Sequence, residues 1–299
     1  MEKRQKLVSE KDPLTIFRNS IPIDLFISIL SRLPVKSIAR CRCVSKQWAS
    51  ILRRPDFTDL FLKISSTRPC LLFTFNLNGK WLFFSAPQHQ NSSLLAADRH
   101  MSFSTENVLT LGTGELSWRT IECSIPHCSA SDGICINGVV YYLAACNGTR
   151  LHTPIKLVCF DVRFEKFKFL DVNSMIWMST LVNFNGKLGA ILPDEFVCFI
   201  RIYIPVLDDP EEGKWSRHIY IFPPIWKNLV AQEDFLCVVG MTHSGEIVFS
   251  SYFPSDPFYV LRYNVERNTV IKVEIQGLGS RKGSEIFTFI DHVENVKHI

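Results

Sequence analysis

The feature that most restricts the fold is a short unit that occurs four times: a glycine turn followed directly by an apolar, alternating strand. It reads Asn78-Gly79-Lys80-Trp81-Leu82-Phe83-Phe84, Asn137-Gly138-Val139-Val140-Tyr141-Tyr142, Asn185-Gly186-Lys187-Leu188 and Ser244-Gly245-Glu246-Ile247-Val248-Phe249. Asn-Gly flanked by alternating apolar residues is the strongest short-range hairpin signal, because a tight hairpin turn needs positive φ at both central positions. A second hairpin pattern follows each unit, at 108–122, 157–171, 199–221 and 259–275. The turn glycines at 79, 138, 186 and 245 lie 59, 48 and 59 residues apart, and the second-pattern markers Trp118, Phe167, Trp215 and Val270 lie 49, 48 and 55 apart. Two interleaved hairpins at a period of about 50 residues describe a four-stranded antiparallel blade, repeated. This predicts a mostly antiparallel β, propeller-like body over 61–299. A β-sandwich with accidental spacing is the alternative. The apolar fraction of 46% and the 23 Phe suit strands around a large core.

The stretch 20–60 has a different period. Phe26, Leu30 and Leu33 fall at i, i+4, i+7, with Leu25 and Ile29 alongside, so the apolar stripe is wide and helical. Pro22 suits a first turn, where its missing N–H is no loss. Pro34 ends this helix because the residue before a proline is pushed out of the α region. A second helix is expected from Val35–Lys36 through Ile38 and Cys41. A third runs through Val44, Trp48, Ile51 and Leu52, and Pro55 closes it. Three short helices in so few residues cannot bury all this apolar surface, so the module needs a partner. Residues 1–19 read as a polar tail.

These residues carry a resemblance. Ile21-Pro22-x-Asp24-Leu25, Ile29-Leu30-Ser31-Arg32-Leu33-Pro34-x-Lys36-Ser37-Ile38 and Val44-Ser45-Lys46-Gln47-Trp48 are similar to an F-box, with Ser28 standing where the family usually has Glu. The β body resembles the type-3-like F-box-associated domain of the large crucifer family of plant F-box proteins. The matching stretches include Ser66-Thr67-Arg68-Pro69, Leu109-Thr110-Leu111-Gly112, Cys159-Phe160-Asp161-Val162-Arg163 and Asp291-His292-Val293-Glu294-Asn295-Val296. The resemblance implies a substrate-receptor subunit of a cullin-RING ubiquitin ligase. Its F-box would dock on a Skp-family adaptor, and through it on cullin and RING subunits, while the β domain would hold a target protein. By position, Pro22, Leu25, Ile29, Leu30, Leu33, Pro34 and Ile38 would face the adaptor, and Val44 and Trp48 would brace the helices. Family members usually carry more sequence between the first hairpin and Leu109. Here residues 88–107 alone fill that gap, which predicts loss of about one blade and leaves closure of the ring open. A ligand- or glycan-binding propeller, or a decayed family member without a substrate, are the alternative functions.

No constellation for catalysis, metal or cofactor stands out. Cys41-x-Cys43 is too tight for a structural zinc pair and has no second pair at ligand spacing. His127 and Cys128 are adjacent, so on a strand they point to opposite faces. There is no phosphate loop and no dinucleotide fingerprint. The net charge of +4 is too small to argue for nucleic acid. It is uneven, however: Arg32, Lys36, Arg40, Arg42, Lys46, Arg53 and Arg54 meet no acidic residue between 25 and 55, which suits either a solvated face or docking on an acidic protein. The polar start of the chain offers no secretory signal, and no run reaches membrane-spanning length. An intracellular protein of the nucleus or cytoplasm, with reduced thiols, is expected. Asp208-Asp209-Pro210-Glu211-Glu212 reads as a solvated hairpin tip. Trp177, Trp226 and Phe258 fall near predicted loops, where aromatics serve either as core or as binding anchors.

Overall fold

The computed structural model describes residues 22–88, 93–104, 121–146, 154–192, 201–230, 236–251, 256–278 and 285–297. They fall into two compact units: the chain up to Cys70 together with the segment from His292 onward, and Leu71–Asp291. The tail 1–19, the sequence around Leu109 and the marker Trp118 lie outside the described residues.

The first unit is helical. Pro22 caps α1 (Ile23–Leu30), and Pro34 caps α2 (Val35–Arg42). The Ser45 hydroxyl accepts the Trp48 N–H at 3.1 Å and opens α3 (Lys46–Ile51), satisfying one of the orphan donors of a helix start. α3 ends before Pro55, as expected. What was not expected is that Pro55 is also the first residue of a further helix, α4 (Pro55–Ser66), which runs past the boundary placed between 60 and 61. Proline at a helix start and proline after a helix end look alike in sequence. What settles the matter is that Phe57 and Phe61, one turn apart, are fully buried with Ile38, Ile51 and Leu52.

The second unit is the β ring. In chain order its strands are β1 (Cys70–Leu77), β2 (Lys80–Pro87), β3 (Leu94–Ala96), β4 (Asp98–Ser104), β5 (His127–Ser129), β6 (Ile134–Ile136), β7 (Val139–Cys146), β8 (Ile155–Asp161) and β9 (Lys166–Asp171). After a 3-10 turn at Ser174–Met178 come β10 (Thr180–Phe184), β11 (Lys187–Ile191), β12 (Arg201–Asp209) and β13 (Lys214–Ile221). A short helix α5 (Trp226–Leu229) precedes β14 (Leu236–Met241), β15 (Glu246–Ser251), β16 (Tyr259–Asn264), β17 (Thr269–Gln276) and β18 (Phe287–His292).

Among the described residues the strands form four sheets, each a blade of a propeller-like ring: β18-β1-β2-β4, β5-β7-β8-β9 with β6 on β7, β10-β11-β12-β13, and β14-β15-β16-β17-β3. The repeated glycine units are the first hairpins of these blades. In Asn78-Gly79, Asn137-Gly138 and Asn185-Gly186 both residues have positive φ, between 50° and 83°, as a two-residue hairpin turn requires. Among the described residues, apolar cores join three pairs of consecutive blades. One joins Leu143 and Leu157 to Leu181 and Leu188, a second joins Ile202 and Ile204 to Ile247 and Phe249, and a third joins Val248 and Val260 to Phe73 and Phe75.

The short segment 88–107 has a specific use. β4 completes the first blade, and β3 crosses to the last blade, where it pairs in parallel with β17 through Ile275↔Leu95. Leu95 is buried in the core between these two blades. Closure is thus made twice, by β3 on the outer edge of the last blade and by β18 on the inner edge of the first. β3 thus covers the edge that β17 would otherwise leave open.

Candidate functional site

The helical unit carries the first candidate site. α1 is apolar on two sides. Phe26 and Leu30 turn inward, while Leu25 and Ile29 stand 54% and 57% exposed. Between α2 and α3, Val44 is 64% exposed, and Pro22 and Pro34 are exposed as well. Leu33 is half-buried. The unit therefore presents large apolar side chains to solvent although it has a filled core of its own.

Three assignments change. Leu30 and Ile38 are buried inside the unit's own core, not exposed on its surface. They belong to the set that holds the helices together. Val44 does not brace the helices, because it faces solvent. Trp48 does sit between them, edge-on to the Phe26 ring at 4.8 Å. Sequence spacing gives a helical stripe of a certain width. It does not say which half of a wide stripe turns inward, because that depends on where the neighbouring helices lie.

Sequence reasoning missed the partner that completes this core. Val296 is fully buried among Leu52, Phe57 and Phe61. The Glu294 carboxylate accepts the Val35 N–H at 3.3 Å, at the positive end of α2. Arg42 is buried and donates through Nη2 to the carbonyls of Leu52 at 2.6 Å and Val296 at 2.9 Å. Burial, and secondarily the Arg53 guanidinium, draws the Arg42 pKa down from its ordinary value. Of the basic cluster, Arg42 is thus a structural clamp, while Arg32, Lys36, Arg40, Lys46, Arg53 and Arg54 are exposed. Arg54 pairs with Asp56 at 2.7 Å. The signal available in sequence was the charge-flanked apolar Val296 near the chain's far end, and nothing local tied it to residues some 250 positions away.

The β ring carries a second candidate. A cavity of about 930 Å³ is lined by the inner strands of the four blades, β6, β10, β14 and β18. The loop aromatics divide here. Trp226 and Phe258 are buried in cores, whereas Trp177 is exposed and lines the cavity.

Two other motifs resolve locally. His127 Nδ1 lies 2.9 Å from the Ile125 carbonyl, and Nε2 lies 2.6 Å from the Tyr142 hydroxyl. A carbonyl only accepts, so Nδ1 carries the proton and Nε2 receives the one from Tyr142. Cys123 Sγ, 3.7 Å from Nδ1, therefore meets a protonated nitrogen and no base. In the acidic tip between β12 and β13, Asp208 pairs with Lys187 at 2.7 Å and Glu211 with Lys168 at 2.7 Å. The Lys187 and Ser216 hydrogen bonds hold the Asp208 carboxyl below its ordinary pKa. Every described cysteine is a free thiol. Among the described residues no three His, Cys, Asp or Glu side chains gather as a metal site, and no helix is long and apolar enough to cross a membrane.

Comparison with known families and proteins fits both units. Residues 19–60 match the F-box domain, and residues 94–293 match the F-box associated beta propeller domain. A putative F-box protein of Arabidopsis thaliana is 47% identical over 289 residues, covering 93% of each chain. The Arabidopsis F-box protein DOR is 40% identical over 368 residues, covering 93% of this chain and 94% of its own. That second alignment is longer than the 299-residue chain, so DOR carries sequence with no counterpart here. The Arabidopsis F-box only protein 12 is 39% identical over 338 residues, covering 93% of this chain and 82% of its own.

Proposed function

The chain belongs to the plant F-box proteins with an F-box associated β-propeller domain, and from that membership we propose that it is the substrate-receptor subunit of a Skp–cullin–RING ubiquitin ligase working in the nucleus or cytoplasm. The helical unit docks on the Skp-family adaptor, and the β ring holds the target protein. The observation that carries this reading is the exposed set Leu25, Ile29 and Val44 on a unit whose core is already filled. Large apolar side chains kept in water by a well-packed module mark an interface. Pro22, Leu33 and Pro34 border the set and belong to the same docking face. The exposed basic residues around it suit an acidic partner surface and speed encounter more than they strengthen binding. The chain's part is positioning; transfer chemistry belongs to the RING side.

The test is binding of the purified chain to a purified Skp adaptor by calorimetry. Leu25→Asp with Ile29→Asp is expected to abolish measurable binding with the fold retained by circular dichroism, and Leu33→Asp with Pro34→Ala to weaken it strongly. Undiminished binding by either double variant would remove this face as the docking site.

A further inference from the structure

Beside its cavity the β ring holds an apolar arrangement that its packing does not use. The 3-10 turn Ser174–Met178 places Met175, Trp177 and Met178 in solvent, at 54%, 56% and 59% exposure, while Ile176 between them is buried. The turn is held at both ends. The Asn173 side chain accepts the Met175 N–H at 3.1 Å, and the Ser179 hydroxyl donates to the Ile176 carbonyl at 2.6 Å. Three large apolar residues are thus presented by a fixed backbone with a buried anchor. Trp177 and Met178 line the cavity, joined by Phe289 of β18, itself 48% exposed.

Among the described residues the charge of the cavity lining is one-sided: it contains Asp132, His243 and Asp291 and no Lys, Arg or Glu, in a chain whose net charge is +4. The Asp132 carboxylate is exposed and has no hydrogen-bond or ion-pair partner among the described residues. Asp291 is fixed in place. Its backbone sits in the left-handed region at φ 54°, which a non-glycine residue keeps only when its surroundings hold it there. The fully buried Gln88 does so from both sides: Nε2 donates to Asp291 Oδ1 at 2.6 Å, and Oε1 accepts the Asp291 N–H at 2.7 Å. The His243 N–H donates to Oδ2 at 3.0 Å. A carboxylate oxygen carries more than one lone pair, so both keep capacity to accept from outside.

We infer that this cavity and the Met-Trp-Met turn receive a segment of the target protein in which a large apolar side chain stands beside a lysine or arginine. The inference rests on the substrate-receptor reading above and names the site and the class of segment. The apolar side chain enters the cavity, and the cation meets Asp132 and Asp291. Trp supplies rigid contact area, and Met adapts to the shape of what it touches. A volume of about 930 Å³ is within the range that encloses a small ligand or a few side chains. An acidic segment is disfavoured, because it would face the carboxylates of Asp132 and Asp291.

The experiment pans the full-length chain against a phage-displayed library of random linear peptides and measures the strongest binder, synthesised with a fluorophore, by anisotropy. Enriched peptides are expected to pair Lys or Arg with a neighbouring large apolar residue. Trp177→Ala with Met178→Ala should weaken binding roughly tenfold or more. Asp132→Asn should weaken it severalfold and flatten its salt dependence. All altered side chains are solvent-exposed, so circular dichroism and unfolding midpoints should stay put. Enrichment of acidic or uncharged sequences, no enrichment at all, or affinity unmoved by the Trp177/Met178 variant would overturn the inference. Adaptor binding is measured on the same samples. Peptide binding lost with adaptor binding kept overturns the cavity assignment and spares the ligase reading. Peptide binding kept with adaptor binding absent supports the cavity and sinks the ligase reading instead.

Discussion

The helical unit and the β ring treat surplus apolar surface in opposite ways. In the helical unit, α1 alone carries Phe26 and Leu30 inside and Leu25 and Ile29 outside, and the core is completed by Val296 from a remote segment. The ring instead buries both faces of its central strands against neighbouring blades, so that β15 and β16 are buried along nearly their whole length, polar residues included. What remains exposed in the ring beside its cavity is the capped turn and Phe289 of β18. A small module cannot hide all its apolar residues, and one side of α1 stays in solvent as a result. The ring also leaves apolar side chains outside, such as Ile219 and Ile221 of β13, but its central strands are covered on both faces.

Several measurements would break or sharpen this contrast. The largest effect is expected from Glu246→Ala in the ring. Arg262 is 4% exposed, and its Nη2 meets the Glu246 carboxylate at 2.5 Å. Removing the carboxylate takes an ion-pair partner from a buried charge, a loss of about 3–5 kcal/mol in denaturant unfolding. A loss below about 1 kcal/mol would mean that water reaches the guanidinium. In the helical unit, Phe61→Ala is expected to cost a similar amount, about 3–5 kcal/mol, and Val296→Asp should unfold the same core from the other side. Leu25→Ala, by contrast, should stay within about 0.5 kcal/mol of the parent. Equal losses at Phe61 and Leu25 would erase the distinction between core and face.

Two glycines make a smaller test within the ring. At Gly277, φ is 90° and an added Cβ would lie 2.7 Å from the Ala97 carbonyl oxygen. Gly277→Ala should therefore cost about 2 kcal/mol or more and loosen the β3–β17 closure. At Gly186 an added Cβ meets nothing within 4 Å, so Gly186→Ala should cost only the positive-φ penalty, about 1 kcal/mol. Hydrogen exchange at Leu95 and Ile275 distinguishes a closure effect from a turn effect.

The smallest effect is with pH. Burial pushes the Cys70 thiol of the helical unit up to about 11, with Glu294 adding to the shift and Arg68 opposing it. Burial pushes Cys159 of the ring to about 11 as well, against the pull of Lys168. The unfolded chain loses these protons near pH 9, so the stabilisation is fully present below that and is lost as pH rises toward 11. Unfolding free energy should fall across that interval in both units. Under native conditions, alkylation followed by mass spectrometry should find Cys70 and Cys159 slow and the exposed Cys43, Cys128 and Cys135 fast. Rapid alkylation of Cys70 would mean that its surroundings open to solvent.

How much could be read beforehand varied with the range of the interaction involved. The hairpin turns were legible because Asn137-Gly138 and its counterparts fix backbone geometry with two residues. The helices α1 to α3 were legible from proline punctuation and apolar spacing. α4 was misread because Pro55 can open a helix or follow one, and the burial of Phe57 and Phe61 decides between the two. The parallel crossing of β3 had no local signal, since three residues Leu94–Ala96 are too few to show a period. Leu30 and Val44 exchanged roles for the same kind of reason: inward and outward are properties of the assembled unit.

The sequence by itself determined the period of the blades, their tight turns, the helical character of the N-terminal module and the family to which both belong. These depend on backbone preferences and on side-chain periodicity within one element. Only the tertiary structure decided which apolar side chains were spent on cores and which were left in solvent, which of seven basic residues became a buried clamp, and which loop aromatic stayed exposed. Those outcomes depend on contacts between residues far apart in the chain, such as Arg42 with Val296 and Gln88 with Asp291, whose pairing is set by how the elements pack.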